Sequence, residues 1–162
     1  MSEYPHHLRT FEYVGLYRYF LTFCTFERNP HFASATNVDT VHEQILRVAL
    51  VEHFALNAYC YMPDHLHVLI EAQRDDCDLK RFVARAKQYS GFYFKRATKH
   101  ALWQRYGYER VLRNDEETIV VARYIVENPV RAGLVASPLD YPFWGSSTWS
   151  REELIEDVRR AG

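Results

Sequence analysis

Short runs of aromatic and β-branched residues alternate along the chain with longer amphipathic stretches. Residues 17–26, with the sequence YRYFLTFCTF, are dense in β-favouring side chains and predict a first strand. Residues 56–62 and 65–71 predict two more strands, which the Pro63-Asp64 turn joins into a β-hairpin. The strand-forming segments are therefore short and lie mostly in the first half of the chain.

Two segments between these strands and after them have helical periodicity. The first is predicted from an Asp39 cap to about Phe54, because apolar residues recur there at a spacing of 3.6. The second begins near Asp78 and has an apolar stripe on one face and a cationic face opposite. The stripe consists of Leu79, Phe82, Val83, Ala86, Ser90, Tyr93 and Ala97. Both segments are therefore expected to pack one face on a sheet.

A fourth strand, over residues 107–113, leads into a third helix. This helix is expected to begin at an Asn114 or Asp115 cap and to run to Glu127, because Pro129 should end it. The element order is then β-α-β-β-α-β-α. This order predicts an α+β fold of the ferredoxin-like or RRM-like split βαβ type, with helices on one face of an antiparallel sheet and a C-terminal helix appended.

Length and composition are those of a single globular domain of 162 residues. No apolar stretch approaches the roughly 20 residues that cross a bilayer, and residues 1–10 lack the apolar region of a signal peptide. The three cysteines have no pairing pattern, which fits a reducing compartment. We therefore expect a soluble cytoplasmic protein with no membrane contact.

Charge is segregated along the chain, although the formal net charge is only -1. Residues 79–131 contain 12 Lys and Arg against 5 Asp and Glu, whereas the rest contains 8 against 16. A basic segment within a neutral protein is typical of a local phosphate-binding face. Solvated helix faces are also often basic, so this alternative stays open.

His65 and His67 form the first chemical motif. Residues two apart on a strand point to the same side, so the two imidazoles project in parallel, while Leu66, Val68 and Ile70 would pack into a core. Metal coordination would explain the pair, because an isolated buried histidine loses hydration without gaining a partner. Two histidines are too few for structural zinc, but phosphate oxygens could complete the coordination of Mg²⁺ or Mn²⁺. The alternative is a pair of hydrogen-bonded or half-exposed histidines.

Tyr124 and Asn128 lie four residues apart on the third predicted helix, so both side chains share one helix face. Taken alone, a tyrosine in the apolar run of residues 119–126 is more often a core residue. Asn128 before Pro129 is more often a helix terminator than a ligand. The pair therefore indicates a site only in combination with another motif.

Several separated motifs resemble the single-tyrosine transposases. Residues 62–70, MPDHLHVLI, resemble their HUH motif, and residues 124–128, YIVEN, resemble their nucleophile helix. Three further stretches resemble the REP-associated tyrosine transposase branch: LWQRYGYERVLR at 102–113, NPVRAGLV at 128–135 and YPF at 141–143. The resemblance covers about residues 15–147, which we take as the domain, with residues 1–14 as an N-terminal extension and residues 148–162 as an acidic C-terminal tail.

The resemblance implies an endonuclease and strand transferase that acts on single-stranded DNA with hairpins and needs no nucleotide cofactor. It implies that His65 and His67 bind a divalent metal, Mg²⁺ or Mn²⁺, and that Tyr124 is the nucleophile that forms a 5′-phosphotyrosine link. Asn128 would be the third metal ligand, at a position where related insertion-sequence transposases have Gln. The implied location is cytoplasmic and nucleoid-associated. Relatives include dimers, so a homodimer stays open.

Cationic and aromatic side chains are candidates for DNA contacts. Those on the second predicted helix would bind phosphates; they are Lys80, Arg81, Arg85, Lys87, Lys95 and Arg96. Trp103, with Tyr106 and Tyr108, could stack on unpaired bases or pack into the core. Arg131 could steady the scissile phosphate or cap the end of its helix.

Two other classes of function fit parts of the sequence. A non-catalytic single-stranded nucleic-acid-binding module on a ferredoxin-like fold would use the basic and aromatic residues but would need neither His65 nor Tyr124. A small metal-binding or interaction protein would be indifferent to DNA. The transposase hypothesis is the one that uses the histidines and the tyrosine together.

Overall fold

The computed structural model describes residues 12–161, so residues 1–11 of the predicted N-terminal extension and Gly162 lie outside the described residues. The strands are β1 (Arg18–Cys24), β2 (Phe54–Met62), β3 (His65–Ala72), β4 (Tyr108–Leu112) and β5 (Trp144–Gly145). They form one antiparallel sheet with the order β4-β1-β3-β2-β5. The first four strands and their helices have the connectivity of the ferredoxin-like split βαβ fold, so the predicted α+β fold is confirmed.

The helices are α1 (Ala35–Glu52), α2 (Leu79–Thr98), α3 (Asp115–Arg131) and α4 (Arg151–Arg160). Asp78 caps α2 and Asn114 caps α3, as predicted, because each side chain accepts a hydrogen bond from a backbone N–H of the first turn. Within residues 12–161, no helix combines the length and the apolar character that a membrane crossing requires.

Two predicted helix ends are wrong. Helix α1 begins four residues before Asp39, because Ser34 is the cap and its hydroxyl accepts from the N–H of Asn37. Helix α3 does not stop before Pro129 but continues to Arg131. Proline removes one N–H donor, and the helix survives this loss in its last turn, where the N–H of Ala132 still donates to the carbonyl of Asn128.

The sheet buries a hydrophobic core on each face. Helices α1 and α2 pack on the first core, which takes alternate residues of β1 and β3, including Tyr19, Leu21 and Leu66. Helices α3 and α4 cover the second core on the opposite face, which includes Cys60 and Leu69. The two helices of the split βαβ unit thus share one face, as predicted, and the appended helix covers the other.

The C-terminal segment adds a short strand that the sequence did not predict and a fourth helix. The short strand β5 pairs with the outer edge of β2. Helix α4 starts with a capping box between Ser150 and Glu153 and buries Leu154, Ile155 and Val158 in the second core. The predicted acidic tail therefore includes a packed helix.

Candidate active site

The histidine pair lies on the face of β3 that α3 covers. The ring centroids of His65 and His67 are 4.6 Å apart, whereas Leu66, Val68 and Ile70 point into the first core. The predicted alternation of β3 is therefore correct. The expectation of a polar environment is only partly met, because His67 is 7% exposed and sits at the margin of the second core.

A hydrogen-bonding partner lies beside one nitrogen of each imidazole. The Nδ1 atom of His65 is 2.7 Å from Oδ1 of Asp64, and the Nδ1 atom of His67 is 2.8 Å from Oγ1 of Thr22 on β1. A partner at Nδ1 fixes the ring orientation. The carboxylate of Asp64 can only accept, so it favours the tautomer of His65 that leaves Nε2 as an acceptor. The hydroxyl of Thr22, in contrast, orients the ring of His67 and is compatible with either tautomer.

The two imidazoles are held in their neutral form. Burial, together with the neighbouring His65, Arg131 and Arg28, lowers the pKa of His67 to about 3. Burial also lowers the pKa of His65, although its contact with Asp64 acts in the opposite direction. A neutral imidazole has the free lone pair that metal binding requires.

Tyr124 reaches this pair from α3 of the same chain. Its ring centroid is 5.5 Å from that of His67 and 6.0 Å from that of Phe20 on β1, and the residue is 44% exposed. The guanidinium of Arg131 lies 4.1 Å above the ring and also donates to the backbone carbonyl of Tyr124. The ring of Tyr124 thus contacts His67, Phe20 and Arg131 and remains accessible to a substrate.

Asn128 lies one helical turn after Tyr124 and is 8% exposed. Its Nδ2 atom is buried and has no hydrogen-bond partner. An orphaned buried amide is costly, and its oxygen and nitrogen exchange places when the group flips. The carbonyl oxygen is a ligand that Mg²⁺ accepts, so the amide suits the third ligand position that the resemblance implies.

The donor set of two imidazoles and one amide fits a divalent ion that also takes phosphate oxygens. Within residues 12–161, no group of three or more His, Cys, Asp or Glu side chains is arranged to hold a metal. A site built here would therefore depend on Asn128 and on the substrate to complete the coordination.

The cations predicted on α2 lie on the opposite face of the sheet from Tyr124, because α2 packs on the first core. Arg81 and Arg85 form ion pairs with Glu52, whose side chain is almost fully buried. Lys87 points its ammonium at the carbonyls of Gln104 and Arg105. These three residues have structural partners, and their DNA contacts remain predictions.

The other predicted DNA contacts divide between structural and exposed positions. The indole of Trp103 packs edge-on against Phe23 and donates to Oγ of Ser90, so it stands beside the first core. Lys80 lies over the ring of Tyr13. Lys95 and Arg96 are exposed in the last turn of α2. Arg131 is the only predicted DNA-contact residue that touches Tyr124 among the contacts of the described residues.

Four residues of the site were not identified from the sequence: Phe20, Thr22, Arg28 and Asp64. Phe20 and Thr22 could have been found, because they alternate on β1 in the same way that His65 and His67 do on β3. Thr22 is the direct cross-strand partner of His67. Arg28 approaches through a turn that no periodicity indicates.

The ferredoxin-like sheet brings two imidazoles and a helical tyrosine together, which is the arrangement expected of a single-tyrosine transposase. The family model of IS200-like transposases matches residues 13–128. The chain therefore belongs to the IS200-like transposase family.

Relatives support this assignment. The REP-associated tyrosine transposase of Escherichia coli K12 is 28% identical over 118 residues, which cover 70% of this chain and 68% of that protein. A related protein of Haemophilus influenzae is 29% identical over 105 residues, and this chain spans 60% of its length.

Solved structures share the fold. A REP-associated tyrosine transposase bound to a REP hairpin superposes with a TM-score of 0.72 at 26% identity, covering 89% of this chain and 82% of that chain. A bacterial tRNA(His) guanylyltransferase-like protein in complex with GTP has a TM-score of 0.52 at 12% identity, covering 93% and 89%. The second similarity concerns the fold alone.

Proposed function

We propose that this transposase is a metal-dependent single-stranded DNA endonuclease and strand transferase that acts at hairpin-bearing repeats through a 5′-phosphotyrosine intermediate. The observation that carries the proposal is the convergence of the Tyr124 ring on the imidazole pair. Sequence proximity does not explain this convergence, because β3 and α3 are separated by α2 and β4. Its place of action would be chromosomal or mobile DNA in the cytoplasm, in association with the nucleoid.

In the proposed step, the phenolic oxygen of Tyr124 forms a bond to the scissile phosphorus while the bond from phosphorus to the 3′ oxygen of the preceding nucleotide breaks. The phenol loses a proton and the departing 3′ oxygen gains one. The products are a 5′-phosphotyrosine and a free 3′-OH, and attack by a 3′-OH on the phosphotyrosine rejoins the strand. The guanidinium of Arg131, stacked on the phenol ring, is well placed to pair with a phosphate oxygen.

We propose Nε2 of His65, Nε2 of His67 and the amide oxygen of Asn128 as the protein ligands of Mg²⁺ or Mn²⁺. A bound divalent ion would polarise the phosphate and offset its negative charge. Thr22 and Asp64 would keep the two imidazoles in the ligating orientation.

We also propose that the tyrosine acts on the site of its own chain. Two contacts of α3 with the rest of the domain support this: Arg18 binds Asp115 in the first turn of α3, and Arg123 donates twice to the carbonyl of Val158 on α4. A helix held in this way brings Tyr124 to His67 without a partner chain. A homodimer would then be unnecessary for cleavage.

The test is formation of an SDS-resistant adduct between the protein and a hairpin-bearing single strand in Mg²⁺ or Mn²⁺. We expect an adduct with the wild-type protein and none with Tyr124→Phe. Tyr89→Phe is the matched control, because Tyr89 is also about half exposed but lies on α2, on the other face of the sheet. It should keep the adduct.

The histidines have a separate test. His65→Ala and His67→Ala should each abolish cleavage and retain binding to the same strand, because Lys and Arg dominate affinity for DNA. An adduct that persists in Tyr124→Phe would refute the assignment of the nucleophile. No adduct across a broad set of hairpins, with binding retained, would favour the non-catalytic binding module.

A further inference from the structure

The chain makes an unusual turn immediately after β1. Glu27 and Arg28 are consecutive and both have left-handed backbones, with φ of 54° and 56°. Residues with a side chain are disfavoured in this region, and two in succession need a strong local reason. Such strained positions persist only where the surrounding structure imposes them, and they concentrate at functional sites.

Backbone and side-chain contacts hold the turn in place. The N–H of Thr25 donates to the carbonyl of Asp64, and its buried hydroxyl lies within hydrogen-bond distance of the carbonyls of Asp64 and Asn29. The N–H of Phe26 donates to the carbonyl of Leu102. Both ends of the turn are therefore attached to neighbouring segments.

The turn brings the guanidinium of Arg28 to the residue before the first histidine. Its Nε atom donates to Oδ2 of Asp64 at 2.9 Å, and its Nη1 atom lies 3.3 Å from Sγ of Cys24. The other carboxylate oxygen of Asp64, Oδ1, is 2.7 Å from Nδ1 of His65. Each oxygen of the carboxylate thus has one partner, and the plane of the carboxylate is fixed from both sides.

We propose that Arg28 is a positioning residue that orients the carboxylate of Asp64, so that this carboxylate accepts the Nδ1–H of His65 and leaves Nε2 of His65 facing the metal. The inference rests on the proposed function for the identity of the ligand. The orientation and tautomer of His65 are properties of the metal-free protein and can be measured separately.

Stability gives no adequate reason for this arrangement. The side chain of Arg28 is 54% exposed and that of Asp64 is 31% exposed, so their ion pair is largely screened by solvent and stabilises the fold little. The left-handed backbone at Glu27 and Arg28 acts against folding. The weak ion pair does not offset the strain of the turn. The turn is better explained by the orientation that Arg28 gives to the carboxylate of Asp64 and, through it, to His65.

The experiment compares Glu27→Gly with Arg28→Gly. Both substitutions relieve one left-handed position in the same turn, but only the second removes the guanidinium. Glu27→Gly should raise Tm by about 2 °C and leave the Kd for Mn²⁺ unchanged. Arg28→Gly should leave Tm at or above the wild-type value and weaken Mn²⁺ binding by about tenfold, the lower end of the effect of losing an outer partner of a ligand.

A second measurement needs no metal. Nitrogen-15 spectra of the imidazoles, recorded on metal-free protein at a pH where both rings are neutral, should show His65 as the Nδ1–H tautomer in the wild-type protein and in Glu27→Gly. In Arg28→Gly, a substantial fraction should shift to the Nε2–H tautomer.

Three results would overturn the inference. One is Mn²⁺ binding by Arg28→Gly that is as tight as wild type, or tighter because a nearby cation has gone. Another is a lower Tm with unchanged Kd, which would make Arg28 a structural residue. The third is an unchanged Nδ1–H tautomer in Arg28→Gly. If the wild-type protein binds no Mn²⁺, the proposed metal fails, and the tautomer measurement still decides the inference.

Discussion

Replacing Thr22 by Val removes the hydroxyl that lies 2.8 Å from Nδ1 of His67 and keeps nearly the same side-chain shape. His67 is 7% exposed, so water cannot readily replace the lost partner. An unsatisfied buried polar group costs about 1–3 kcal/mol in the free energy of unfolding. Loss of an outer partner of a metal ligand typically weakens metal binding about 10–100-fold, which corresponds to about 1.4–2.7 kcal/mol.

The assay is titration of wild type, Thr22→Val and Thr22→Ser with Mn²⁺, followed by the rate of covalent adduct formation at saturating Mn²⁺. Thr22→Ser retains the hydroxyl and should bind Mn²⁺ almost as the wild type does. If Thr22 acts only by orienting His67, saturating Mn²⁺ should restore most of the adduct rate in Thr22→Val. Wild-type affinity in Thr22→Val would refute the argument that this hydrogen bond prepares His67 as a ligand.

Two further predictions concern stability. Leu154→Ala removes a buried side chain of α4, so it should lower the free energy of unfolding by about 2–5 kcal/mol and speed amide exchange in α3. The control Glu156→Ala changes an exposed residue of α4 and should do neither. Equal protection of α3 in both variants would contradict a supporting role of α4. Burial lowers the pKa of His42 from its ordinary 6.5 to about 4. The contribution of the neutral imidazole to the free energy of unfolding is therefore fully present above pH 6.5 and is lost as the pH falls towards 4. Against His42→Gln, denaturant titrations should therefore show a wild-type advantage that shrinks by up to about 3 kcal/mol over this range, and a constant difference would contradict the assignment.

Local patterns identified most of the fold. The alternation of Leu66, Val68 and Ile70 predicted which side of β3 is buried, because side-chain direction in a strand has a strict period of two. The start of α1 could not be decided in the same way, since Ser34 and Asp39 are both good capping residues. Packing of the segment just before α1, where Phe32 is buried in the first core, decides between them. Likewise, Pro129 usually ends a helix, but whether it does so depends on the hydrogen bonds that the rest of the last turn can still form.

The parts of the site that depend on residue type and on local spacing could be predicted from the sequence. The spacing of His65 and His67 and the position of Tyr124 on a helix could be stated from the sequence. The order of the strands in the sheet decides which face each helix covers. The clustering of the α2 cations in the sequence therefore could not show that they lie on the opposite face of the sheet from Tyr124. The ion pairs of Arg81 and Arg85 with Glu52 likewise depend on the packing of α1 against α2.

Because α2 and Tyr124 occupy opposite faces of the sheet, a DNA molecule that touches both must travel around the molecule. Stacked layers of a domain lie about 10 Å apart, so a path from the outer side of α2 to the phenol crosses a thickness of about 20 Å. If exposed cations such as Lys95 and Arg96 hold a hairpin, the unpaired stretch between that hairpin and the cut has a minimum length. The thickness of the protein would then act as a ruler that sets the distance from hairpin to cleavage site.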